Sequence, residues 1–181
     1  MSDVLHTLRC IGFAELPRVA HAAGLSDADT ESELIDLAVE GLVTREFGGW
    51  GLTDVGRAED ARRTGAGLDA TGEREAVTRA YERFLVLNPE LLDLCSAWQL
   101  NDHTDPEHDE RIIRRFEDLD ARAGAVLAGL SRFGRYRVRL TAALTEVRNG
   151  HREHLADSLE SYHVIWFQLH EDLLATLGIP R

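Results

Sequence analysis

The apolar positions of the first sixty residues change period. Val4, Leu5, Leu8 and Ile11 recur at helical spacing, which predicts a helix ending near Gly12. Leu16, Val19 and Ala20 define a second short helix over 15–22, with Pro17 tolerated in its first turn. Gly24 supplies the left-handed residue of the next turn, Leu25 packs beneath it, and Ser26 or Asp27 caps a third helix. That helix carries Leu34, Ile35, Leu37, Ala38 and Leu42 on one side. Two short extended runs, 43–47 and 50–53, then flank Gly48-Gly49 and predict a β-hairpin. Thr53 and Asp54 cap a fourth helix running toward Arg63.

Gly65-Ala66-Gly67 is the next flexible punctuation, so the domain boundary is placed there, giving domains 1–65 and 66–181. Beyond it the pattern is helical throughout. Val77, Ala80, Tyr81, Phe84 and Leu85 form one stripe, and Asn88-Pro89 is read as its end and the start of a second helix bearing Leu91, Leu92, Cys95 and Trp98. Asp105-Pro106 opens a long helix with Ile112, Phe116, Leu119, Ala123, Val126 and Leu130 inward. A fourth stripe is Phe133, Tyr136, Leu140, Leu144 and Val147. A fifth runs from Leu155 and Leu159 through Tyr162, Trp166, Leu169 and Leu173 to Leu177, with the 4,3 alternation of a bundle or coiled-coil seam. The expected fold class is mainly α: an N-terminal winged helix-turn-helix with a short β-hairpin wing, followed by an antiparallel helical bundle.

The runs VAHAAGL and LAVEGLVTREFGGWGLTDVGRA, residues 19–25 and 37–58, resemble the helix-turn-helix and wing of MarR-type bacterial transcription regulators. The resemblance covers residues 4–63. It implies a homodimer that reads double-stranded DNA, with Thr30, Ser32 and Glu33 facing the groove and Arg45, Arg57, Arg62 and Arg63 on phosphates. In the C-terminal half, LNDHTDP and SYHVIWFQLHEDLLATLG resemble a helical unit of actinobacterial proteins, some of them associated with phosphoenolpyruvate-using dikinases. That likeness implies a different role, a regulatory or protein-interaction module for a phosphotransfer enzyme.

Charge sharpens the choice. The net charge is -12 over 181 residues, there is no Lys, and all 20 cations are Arg. Residues 1–65 hold 12 acids and 6 Arg, so the winged half stands at -6. Its expected recognition helix carries Asp27, Asp29, Glu31, Glu33 and Asp36. DNA affinity rests on neutralising phosphates with cations, so this helix opposes the DNA reading and suits an Arg-rich protein better. A MarR-like DNA-binding regulator is still the expected function, with the protein-interaction module as the alternative.

Other classes fall away. Catalytic signatures such as GxSxG, a P-loop or a Gly-rich dinucleotide turn are absent, as is a Cys–His pair of recognisable spacing, so neither an enzyme nor a cofactor is expected. Cys10 and Cys95 read as buried thiols. With no signal peptide and no long apolar run, the expectation is a soluble cytoplasmic protein without a membrane role. One cluster invites a ligand: Trp98, Asn101, His103, Tyr162, His163, Trp166 and His170 should converge on a cavity for a small anionic or aromatic effector. The alternative is ordinary core with half-exposed histidines. A metal held by His103, His108, His163 and His170, completed by Asp102 or Glu171, is a weaker reading and is not adopted.

Overall fold

A computed structural model describes residues 4–180. The described chain is mainly helical, with a small three-stranded antiparallel sheet. It divides into two compact units, one of residues 4–74 with 171–180, the other of residues 75–170. Among the described residues no helix is long and apolar enough to cross a membrane.

The first unit runs α1 (Val4–Ile11), β1 (Ala14–Glu15), α2 (Leu16–Ala23), α3 (Asp27–Val39), β2 (Val43–Glu46), β3 (Gly49–Leu52) and α4 (Asp54–Thr71). The local chemistry explains the boundaries. Gly24 takes φ 71° at the end of α2, and the Ser26 hydroxyl accepts from the Asp29 amide to cap α3. The Thr53 hydroxyl accepts from the Gly56 amide, capping α4, and donates to the carbonyl of Gly41. Gly56 itself is required by close approach: a Cβ there would stand 1.9 Å from the carbonyl oxygen of Leu42. Leu5, Leu8, Val19, Leu34, Val43 and Trp50 form the centre of this unit's core.

Two details depart from the sequence expectation. The two-residue β1 pairs with β3, so the sheet has the order β1-β3-β2. The hairpin turns at Phe47-Gly48, with φ 47° and 84°, because Glu46 pairs with Gly49. Both central residues are left-handed, the conformation that matches the twist of the flanking strands.

The second unit is built from α5 (Arg74–Gln99), α6 (Pro106–Leu127), α7 (Gly134–Arg148) and the first part of α8 (Tyr162–Leu177). Three boundaries differ from those read in the sequence. α4 continues through Gly65-Ala66-Gly67, and the units part near residue 74 instead. α5 continues through Pro89, where the sequence reading ends one helix and starts another. An interior proline costs a helix about 3 kcal/mol. Here Phe84 and Leu87 before it and Leu91, Leu94 and Trp98 after it form one buried stripe, and that burial holds the helix together. The last helix begins at Tyr162, so Leu155 and Leu159 precede it. Along this last stripe Tyr162, Trp166, Leu169 and Leu173 are all buried, while Leu159 is exposed.

Candidate functional site

The outward face of α3 mixes acid with apolar side chains. Asp29, Ser32, Glu33, Asp36 and Glu40 are exposed, and so are Ile35 and Val39, the latter at 84%. Thr30 does not belong to this face. It is buried beneath the helix and its hydroxyl has no hydrogen-bond partner, so it has no atom to offer to a groove. The helical period turns Thr30 and Leu34 inward together.

The four expected phosphate contacts fare unequally. Arg57 is exposed on α4. Arg45 is exposed on β2, its guanidinium 5.4 Å from the centroid of the Trp50 ring. Arg62 and Arg63 are committed to Glu59. Arg62 donates from Nε and Nη2 to its two carboxylate oxygens at 2.7 Å, and Arg63 donates from Nε at 2.7 Å. Arg63 also lies 3.7 Å from Glu40. The hydrogen bonds from Arg62 and Arg63 hold the Glu59 carboxyl down at about 2. Glu40, Leu42, Val55, Ala58, Glu59, Arg62 and Arg63 line a cleft of about 300 Å³.

The aromatic and histidine residues singled out in the C-terminal half separate into two polar knots. Around buried Asp109, Asn101 donates at 2.6 Å, His103 Nδ1 approaches to 2.9 Å and Arg152 donates at 2.7 Å, while the His103 ring lies 4.5 Å from Trp98. Around Asp120, the Tyr162 hydroxyl donates at 3.1 Å and Arg137 at 2.8 Å. Burial first, and then the charge of Asp120, push the Tyr162 hydroxyl well above its ordinary range. The Trp166 indole donates to Asn88 at 3.0 Å and stacks on Phe84, which also lies 5.1 Å from the His170 ring. Trp98, Tyr162 and Trp166 are each almost wholly buried, and His163 and His170 are half-buried. The polar tips are thus satisfied by Asn88 and Asp120, where the sequence reading supplied them with histidine and Asn101. Acids are seldom buried, which hides Asp120 as a partner in the sequence, and Asn88 stands 78 positions from Trp166.

A third constellation was missed altogether. His6 is buried between two carboxylates, with Nδ1 at 2.9 Å from Asp60 and Nε2 at 2.9 Å from Asp172. Cys10 Sγ lies 3.7 Å from the same Nε2. Thr64 lies 3.4 Å from both His6 Nδ1 and Asp60, and Thr176 donates to Asp172 at 3.0 Å. Three helices each supply an i,i+4 pair: His6 and Cys10 on α1, Asp60 and Thr64 on α4, Asp172 and Thr176 on α8. Burial pulls the imidazole pKa down, but the charges of Asp172 and Cys10 and the hydrogen bonds to Asp172 and Asp60 outweigh it, and the pKa ends well above its usual value. Both ring nitrogens of His6 thus face carboxylates, which favours its protonated form.

Among the described residues, His6, Cys10 and Asp172 are the set whose donor atoms converge closely enough to hold a metal ion, all within 4.8 Å of one another. The histidines weighed for that role in the sequence do not form such a group. The local signal was present: His6 and Cys10 stand four apart on one helix, the Cys–His spacing that the sequence reading took to be lacking. Comparison with protein-family models, with curated proteins and with solved structures finds no match to this chain.

Proposed function

We propose that the chain is a regulatory module that works by binding a protein, with a first unit of winged helix-turn-helix type whose α3 face is the docking surface. The observation that carries this reading is the composition of that face. Asp29, Glu33, Asp36 and Glu40 surround exposed Ile35 and Val39, and the nearby Arg62 and Arg63 are already paired with Glu59. A phosphate backbone would meet acids and apolar surface here, with two of the four expected cations neutralised. A basic-rimmed apolar protein surface complements the same face. The likeness of the C-terminal half to a unit found beside phosphoenolpyruvate-using dikinases makes a phosphotransfer enzyme the partner class to try first.

The test pairs two measurements on the full chain. Titration against such an enzyme should give saturable binding that Val39→Arg and Ile35→Arg abolish. A mobility-shift titration with DNA upstream of its own gene, at low salt, should give no sequence-selective shift. A selective shift lost in Arg45→Ala and Arg57→Ala would replace this reading with the second one, a MarR-like homodimeric regulator. The exposed positions of Ser32, Arg45 and Arg57 are what favour that alternative.

A further inference from the structure

We propose that His6, Cys10 and Asp172 form a binding site for a divalent ion of the zinc class, with Asp60 as the outer carboxylate that orients the imidazole.

The donor set is selective. An imidazole nitrogen, a thiol sulfur and a carboxylate oxygen are the ligand types zinc takes, whereas magnesium and calcium seek oxygen alone. The spacing also fits. Nε2 of His6 lies 2.9 Å from Oδ1 of Asp172 and 3.7 Å from Sγ of Cys10. Tetrahedral zinc, with bonds of about 2.0 Å to nitrogen or oxygen and about 2.3 Å to sulfur, holds such donors about 3.3–3.5 Å apart. The three donor atoms all lie within 4.8 Å of one another, so the ligands close toward the ion as it seats.

The outer shell is in place. Asp60 sits on Nδ1 of His6 at 2.9 Å, the carboxylate–histidine arrangement that fixes the tautomer with Nε2 facing the metal. Thr176 steadies Asp172 from the next turn of α8. All three ligands are carried on helices, which limits their wandering.

The charge balances. As ligands, a neutral imidazole, a thiolate and the Asp172 carboxylate together offset the two charges of the ion. Any proton held on Nε2 of His6 or on Sγ of Cys10 leaves to solvent as the ion binds. A water would complete the tetrahedron as fourth ligand. Asp60 stays outside the first shell and acts through His6.

The test uses the full chain stripped with a chelator and titrated with Co²⁺. One equivalent should produce visible ligand-field bands and a near-ultraviolet thiolate-to-cobalt band, both displaced by Zn²⁺. Cys95→Ser should keep the thiolate band and Cys10→Ser should lose it. Asp60→Asn should weaken Zn²⁺ binding about 10- to 100-fold with the ligand-field bands retained. Zinc should also raise the melting temperature of the wild type. X-ray absorption of the zinc-loaded wild type, which needs no variant to fold, should show one sulfur neighbour at about 2.3 Å. A shell of nitrogen and oxygen alone, no thiolate band in the wild type, or a band undiminished in Cys10→Ser would overturn the site.

Discussion

Nε2 of His6 and Oδ1 of Asp172 meet at 2.9 Å although 166 positions separate the two residues. Asp60 closes on the other ring nitrogen, so one imidazole stands between two buried carboxylates. Removing it strands both. In chelator-treated protein, His6→Ala should cost about 3–5 kcal/mol, the range for breaking a buried ion pair by deleting one partner. Urea denaturation measures this. A loss below about 1 kcal/mol would mean that the carboxylates do not depend on the imidazolium.

Glu59 gives the acid limb of stability a specific contributor. Its carboxyl is held at about 2 in the folded chain, against an ordinary value of 4.5, chiefly by the hydrogen bond from Arg62 and next by that from Arg63. A carboxyl with a depressed folded pKa stabilises the fold above its unfolded pKa and loses that contribution as the pH falls through the folded value. Urea midpoints should therefore decline between about pH 4.5 and pH 2 more steeply in the wild type than in Glu59→Gln. Identical slopes would remove Glu59 from the account.

Cys95 should be chemically silent. Burial, with the charge of Asp157 adding to it, pushes its thiol up to about 12, so almost no thiolate exists at neutral pH. Iodoacetamide should modify Cys95 only as fast as the protein unfolds, read from the peptide mass after a timed quench. Rapid labelling under native conditions would contradict its burial.

Phe47 occupies a position that an L-residue with a bulky side chain rarely takes. It has φ 47° at the hairpin turn and is 99% exposed, so it pays backbone strain with no packing in return. Phe47→Asn or Phe47→Gly should raise stability by about 1 kcal/mol, seen as a higher urea midpoint at unchanged slope. A loss of stability would show that the ring has contacts in solution.

The elements of the N-terminal region were legible because their signals are local. Gly24 with its left-handed φ, the capping hydroxyls of Ser26 and Thr53, and the switch to extended runs around Gly48 all act within a few residues of themselves. Where a local signal competed with packing, packing prevailed. Pro89 failed to break α5, and Gly65 and Gly67 failed to break α4, because buried side chains on either side belong to one stripe. The stripe from Leu155 to Leu177 was truncated at Tyr162 for a related reason. Periodicity records which residues are apolar, and it does not say whether the backbone between them stays helical.

The candidate sites divide along the same line. The acidity of α3 could be read directly, since exposed charge on a helix face follows from its period. The partners of buried polar groups could not. Asp60 and Asp172 join His6 across 54 and 166 positions, and Asn88 meets Trp166 across 78. An aspartate is assigned to the surface until folding supplies the cation or donor that makes its burial tolerable. That supply is a property of the packed helices, which bring together residues that the linear order keeps apart.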